Sequence, residues 1–403
     1  MLSRRFFFGF LLIILAHFSF AQLPNQAFRK WPEINPENVG ELRLGVQALG
    51  FFKNNEYFDK IADGYTLFGY HFMPSLKYYH SEKVKLEGGL LLWKDFGSLK
   101  IQQIQPTFTL TYITGNHTLL FGTLAGNLTH NYIEPLWDFE RQLTRPLQNG
   151  IQYGYETNKV ALDAWIDWQL MQYAYDARQE EIAGGLSSAF KLIGNEGIFK
   201  NATDSVKRPG FILTLPFQFT AKHIGGQIDT NERPLTTLFN GAIGFEATKY
   251  LAKTVSDSGK KPFLHSLYTK NYLVGYDDYS FENLLPFQRG SGIYLNAGAD
   301  TKLGDIMLSY WRGNGYISEF GGRLYQSVST TVSSPGYLEE DRELIILRIM
   351  STFPITKGVT FTNRLEPFYN LRTGSGLFST GFYVHFDTDF FLGHPKHKAK
   401  TIN

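Results

Sequence analysis

Phe211-Ile212-Leu213-Thr214-Leu215-Pro216-Phe217-Gln218-Phe219-Thr220-Ala221-Lys222 separates into two interleaved sets. Phe211, Leu213, Leu215, Phe217, Phe219 and Ala221 fall on one face, and Ile212, Thr214, Pro216, Gln218, Thr220 and Lys222 on the other. Side chains alternate across a β-strand with period two, whereas a helix brings them round every 3.6 residues, so this run reads as strand. Gln103 to Tyr112 repeats the pattern, setting Ile104, Pro106, Phe108, Leu110 and Tyr112 against Gln103, Gln105, Thr107, Thr109 and Thr111. Leu377 to Phe390 does so again, with Phe378, Thr380, Phe382, Val384, Phe386 and Phe390 opposite Ser379, Gly381, Tyr383, His385, Asp387 and Asp389. Length carries the second half of the reading. Strands of soluble domains are mostly about five or six residues long, whereas a tilted strand needs about 9 to 11 to cross a bilayer.

Extending the alternation along the chain gives about sixteen strands, within limits of 14–18. They fall near 41–52, 66–79, 84–95, 101–113, 118–128, 149–156, 160–174, 181–194, 210–223, 236–251, 263–278, 291–301, 305–316, 339–351, 359–370 and 377–391. Short polar turns occur at His80–Lys83, Thr114–His117, Glu156–Lys159 and Thr301–Gly304, and long loops near 53–65, 129–149, 279–290 and 317–338. With the N-terminus in the periplasm, every one of those tight turns is periplasmic, as in single-chain bacterial barrels. Only the connections 194–210 and 252–263 are long for that side. The expected fold is all-β, a closed antiparallel transmembrane β-barrel over 41–392.

The ends fit an exported chain. Arg4 and Arg5 precede the apolar run Phe6–Leu15, and Ser19-Phe20-Ala21 supplies the small residues of a signal-peptide cleavage site, so residues 1–21 read as a removable leader. Residues 22–40, rich in Pro and Asn, read as a periplasmic lead-in, and 393–403 as a basic periplasmic tail. The absence of Cys excludes disulfides, thiolate metal sites and a cysteine nucleophile. Aromatic residues make up 16% of the chain, yet mean hydropathy is −0.21, which suits strands with one lipid face and one water face. A net charge of +2 gives no reason to expect nucleic acid as a partner.

The Ser19-Phe20-Ala21 site, the alternating strands and the aromatic final strand Phe382-Tyr383-Val384-His385-Phe386 together resemble bacterial outer-membrane β-barrel proteins of the porin-like kind, over most of the mature chain. The resemblance implies insertion by a machine that recognises a C-terminal aromatic strand, with outer-membrane lipid as surroundings and small solutes as cargo. The chain departs from that pattern by continuing past its last strand.

Function on such a wall belongs to the lumen side, because charge facing lipid costs up to several kcal/mol near the midplane. The alternation puts Arg342, Arg348, Arg364, Glu366, His385 and Asp387 on that side of three consecutive strands. They read either as a charged constriction selecting solutes by sign or as cross-strand ion pairs that stiffen the interior. Asp163 and Asp167 share a face with Trp165 and Gln169; four residues of strand set the carboxylates about 13 Å apart, too far for joint acid–base work. The loop holding His130, Glu134, Asp138, Glu140, Arg141 and Arg145 among Tyr132, Trp137 and Phe139 is a candidate constriction or partner-binding loop. No Gly-x-Ser-x-Gly elbow and no trusted metal spacing are present. No catalytic residue, cofactor or metal is therefore expected, and the chain reads as a non-enzyme. The expected function is a pore for small hydrophilic solutes selecting by size and lumen charge. The rival is a non-conducting scaffold or receptor, its lumen plugged and its loops binding a surface or secretion partner. An outer-membrane enzyme, or a soluble exported β-sandwich or propeller, comes behind both.

Overall fold

The structure, a computed structural model, describes residues 28–29, 31–194, 210–230, 233–251 and 263–395. The leader and its Ser19-Phe20-Ala21 site, nearly all of the basic tail and most of the connections 194–210 and 252–263 lie outside the described residues.

Sixteen strands follow in order: β1 (Leu42–Glu56), β2 (Tyr65–Tyr79), β3 (Val84–Asp95), β4 (Gln103–Thr114), β5 (His117–Thr123), β6 (Asn149–Glu156), β7 (Val160–Leu170) and β8 (Glu181–Ile193) form the first half. β9 (Ile212–Ile224), β10 (Thr236–Tyr250), β11 (Leu264–Asp278), β12 (Arg289–Thr301), β13 (Gly304–Asn314), β14 (Asp341–Thr356), β15 (Val359–Asn370) and β16 (Gly376–Gly393) complete it. Each pairs antiparallel with the next, and β16 returns to β1 with Phe51 opposite Tyr383, closing the sheet. Closure leaves no edge, so every backbone group of the wall can be paired without water.

The pleat then sorts the side chains. Phe217, Ile243, Leu273, Leu308 and Phe382 face outward and remain exposed, an apolar band fit for lipid. Thr214, Gln218, Asn240, Asn296 and Ser309 face inward and are buried. A closed barrel with an apolar exterior and a polar interior is an outer-membrane barrel.

The interior is packed rather than open. Residues 124–148, between β5 and β6, turn inward and carry Tyr132, Ile133, Leu136 and Trp137 into one aromatic-rich core with Trp165, Tyr272, Tyr294 and Trp311 of the wall and Tyr316 and Phe320 of the β13–β14 loop. A loop inside a barrel needs partners for its backbone, and wall amides supply them. Gln218 accepts from Ile133 N–H (2.9 Å) and donates to Asn131 C=O (3.1 Å), Gln152 accepts from Ala125 N–H (2.9 Å), and Asn240 donates to Ile317 C=O (2.6 Å). Gly185 of β8 makes room, because a Cβ there would lie 2.3 Å from the Tyr132 hydroxyl.

The same loop explains why β5 stops at Thr123 instead of reaching 128. Gly122 has φ +99°, and Leu124 N–H already donates across to Gln148 C=O (2.9 Å), starting the descent into the lumen. Phe28, from the segment expected as a periplasmic lead-in, also lies inside, its ring edge-on to Phe139, Tyr383 and His385 at 5.2, 5.2 and 4.5 Å.

The sidedness of β9 gives a direct test. Phe217→Asp, which puts a carboxylate toward lipid, is expected to abolish the folded, heat-modifiable species in electrophoresis. Thr214→Asp, two faces of the same pleat away, is expected to leave it intact. Equal tolerance at both positions would contradict the assignment of faces.

Candidate functional site

At mid-height of the lumen, neighbouring strands present Arg348 of β14 and Arg364 and Glu366 of β15. Period two alone places all three inward, and the β14–β15 pairing makes them neighbours. The fourth member, Glu134, comes from the inserted loop. Glu366 accepts from Arg348 Nε (2.7 Å) and from Arg364 Nη2 (2.7 Å); Glu134 accepts from Arg348 Nη2 (2.5 Å) and also pairs with Arg364. Arg348 Nη1 donates to the Tyr294 and Ser309 hydroxyls, both at 3.0 Å, and the Tyr325 hydroxyl donates to Glu134 (3.0 Å). Arg364 lies over the Phe139 ring at 4.0 Å. Both arginines are buried, and two guanidiniums and two carboxylates compensate one another; Glu134, Arg364 and Glu366 also line the cleft above them.

Toward the extracellular end the network continues into a cleft lined by Lys53, Tyr57, Tyr65, Asp138, Glu140 and Arg323. Glu140 is held by Lys53 Nζ (2.8 Å), Asn55 Nδ2 (2.6 Å) and the Tyr65 hydroxyl. Burial alone would raise its pKa, but the Lys53 ammonium and these hydrogen bonds hold it below the usual range. Among the described residues Asp138 has no ion-pair partner, and the Lys53 charge acts on it only from beyond Glu140. Burial, reinforced by the Glu140 carboxylate, pushes it up to about 6. Glu140 N–H donates to its Oδ1 (3.0 Å), and Asp138 N–H donates to Phe320 C=O (2.7 Å), fixing the carboxyl between two loops. The cleft has about 40 Å³ of room for water, enough for a few molecules and too little for a solute or an acyl chain.

The other residues singled out from the sequence lie apart from this centre. Arg342 is fully buried and bound to Asp59 (2.6 Å) and Glu339 (3.0 Å), which ties the β1–β2 and β13–β14 loops together over the barrel. Asp163 faces inward but is occupied: His130 Nδ1 lies 2.6 Å from one oxygen and Gln152 Nε2 2.8 Å from the other, with the His130 ring stacked on Trp165 at 4.7 Å. Asp167 accepts from Asn149 N–H (2.8 Å) and from Gln169 Nε2 (3.0 Å). Arg141 lies over Trp137 and Phe320, and Arg145 is exposed. His385 and Asp387 sit toward the periplasmic end of β16, away from Arg364 and Glu366. Lys53 and Asn55 lie beyond the expected strand end at 52, although Leu49, Phe51, Lys53 and Asn55 continue one inward face, and Tyr65 lies one residue before the expected start of the second strand at 66.

Neutralising Glu134 tests the network. Glu134→Gln leaves two buried guanidiniums facing one carboxylate, and is expected to destabilise the folded barrel by about 3–5 kcal/mol in urea unfolding. A change below about 1 kcal/mol would mean that water reaches the arginines.

A family model described as Lipid A 3'-O-deacylase-type matches residues 34–395. No curated protein matches the chain. Among solved structures, a loop-deletion mutant of OmpT, an outer membrane protein of Vibrio cholerae, is 11% identical with a TM-score of 0.47, over 86% of this chain and 99% of that one. OprD of Pseudomonas aeruginosa is 9% identical, with a TM-score of 0.43 over 89% and 96%. OpdL of the same organism is 12% identical, with a TM-score of 0.42 over 87% and 100%. A deacylase is an enzyme, so the family match corrects the expectation of a non-enzyme drawn from the missing serine elbow. A hydrolase can activate water with a carboxylate and needs no such motif.

Proposed function

The chain belongs to the Lipid A 3'-O-deacylase-type family, and on that premise we propose that it is an outer-membrane hydrolase that removes acyl chains from lipid A-like glycolipids at the extracellular mouth of its barrel. The observation that carries the residue assignment is Asp138, a carboxyl whose pKa of about 6 lets it exchange a proton near neutral pH. It lines a cleft with room for a few waters, whose wall also carries Lys53, Arg323 and Arg364. In this reading Asp138 takes a proton from water, the resulting hydroxide adds to the ester carbonyl, and collapse of the tetrahedral intermediate releases the fatty acid. The proton passes to the departing sugar oxygen. Arg323, which lines the cleft and stacks over Tyr65 at 5.3 Å, stabilises the developing oxyanion. The cleft is too small for an acyl chain, so the β1–β2 and β13–β14 loops separate to admit the ester.

The test is mass spectrometry of lipid A incubated with the purified protein. Loss of one acyl chain is expected, with a rate that rises through about pH 6 as Asp138 loses its proton, and a loss of about 10²–10⁴-fold in Asp138→Asn. Unchanged lipid A would sink the proposal.

One observation favours a second reading. Glu134 stands on a loop while its arginine partners stand on the wall, so displacing that one segment would unblock the lumen and leave Arg348, Arg364 and Glu366 as a charged constriction for small solutes. Planar-bilayer recording separates the two. A silent wild-type protein, with current steps only after Glu134→Gln, is expected if the loop is the gate; silence in both would exclude a channel opened by that ion pair.

A further inference from the structure

The outward face of the wall changes character abruptly over β13–β15. On β14 the apolar column Ile349, Leu347, Ile345 gives way, toward the extracellular end, to Glu343 and Asp341. On β13 the column Ile306, Leu308, Tyr310 ends on Arg312, paired across from Glu343. Arg372, in the β15–β16 turn, completes the group. Arg312 Nε lies 3.4 Å from Glu343, and Arg312 Nη2 3.7 Å from Asp341. Arg372 Nη2 lies 3.3 and 3.8 Å from the same two carboxylates. These separations are loose beside the 2.5–2.7 Å of the lumen pairs. The Arg312, Arg372 and Asp341 side chains are 51, 42 and 46% exposed. Glu343 is 19% exposed and Asp341 Oδ1 accepts from Asn314 Nδ2 (3.2 Å), so the open capacity lies mainly with the two guanidiniums and the second Asp341 oxygen. Charges one pleat above the hydrocarbon band sit at headgroup level.

We propose that Arg312, Arg372, Asp341 and Glu343 bind the phosphorylated headgroup of an outer-leaflet glycolipid together with its divalent counter-ion. Guanidinium matches phosphate in planar, bidentate fashion, and the exposed Asp341 carboxylate, backed by Glu343, suits a hard divalent cation that the phosphate also holds. A patch of one sign would suit a bare anion; this balanced one suits a phosphate and its cation together. Position adds to the case. Phe368 on the inner side of β15 lines the cleft, and the same strand leads directly into Arg372 on the rim. The inference rests on the proposed function in taking the bound lipid to be of the substrate's class, but the patch is a separate site and is tested by binding alone.

The full mature protein, folded in detergent, is titrated with bis-phosphorylated lipid A, dephosphorylated lipid A or phosphatidylglycerol, with magnesium or with chelator. Retained lipid is read by native mass spectrometry. Bis-phosphorylated lipid A is expected to be retained about tenfold more tightly than the dephosphorylated form, a difference of about 1.4 kcal/mol, and chelator should reduce that preference. Arg312→Ser with Arg372→Ser should erase the preference. Asp341→Asn with Glu343→Gln should remove only the chelator sensitivity. Equal retention of phosphatidylglycerol and lipid A, or a preference that survives the arginine changes, would overturn the inference. Binding is also measured in Asp138→Asn: specific retention without deacylation by the wild type sinks the hydrolase and leaves this site standing, whereas deacylation without specific retention does the reverse.

Discussion

Inside this barrel two guanidinium groups must keep their charge while almost wholly withdrawn from solvent. Burial of an unpaired cation costs several kcal/mol, so Arg348 and Arg364 require carboxylates, and among the described residues the wall pairs them with Glu366 alone. The second carboxylate has to come from elsewhere, and Glu134 brings a whole segment with it. Once Glu134 is seated, Tyr132, Ile133 and Trp137 are drawn against wall aromatics, and Gln218 and Gln152 must meet the loop's backbone. The plug and the shape of the cleft above both descend from this charge balance.

The cleft shows the same logic carried to unequal ends. Two loop carboxyls, Asp138 and Glu140, lie two residues apart in one buried setting. Lys53, Asn55 and Tyr65 all converge on Glu140, which stays ionised. Asp138 is raised by burial first and by the Glu140 carboxylate's field second, and the one backbone N–H it receives from Glu140 offsets only part of that. A difference in partners, not in residue type, divides the two into a fixed anchor and a group able to exchange protons.

The wall was legible in the sequence because one local rule builds it. Alternation marked β3, β6 and β15 to the residue and gave the sixteen-strand count, since each strand needs only to know which of its faces meets lipid. The same rule set Arg342, Arg348, Arg364 and Glu366 on the inner side. It could not show that Glu134 would join them, because no period links a loop to a strand more than two hundred residues away. Lys53 and Asn55 were lost to a strand end drawn too early, at the point where the inner face turns from Phe51 to polar residues. Nor did any short motif betray an enzyme, because the family likeness is spread over 34–395 instead of being concentrated at a serine elbow.

The bond between Glu134 and Arg364 spans 230 positions of the chain. The loop is made and exported long before its partners, so it has no seat until β14 and β15 are in place. Until then the growing sheet holds a solvated interior, in which unpaired arginines are tolerable because water still surrounds them. Drying of the lumen therefore belongs to the last stage of assembly, after the wall has been stitched together. A chain interrupted before residue 364 would leave behind an unsealed and wet vessel, not a shorter version of the finished one.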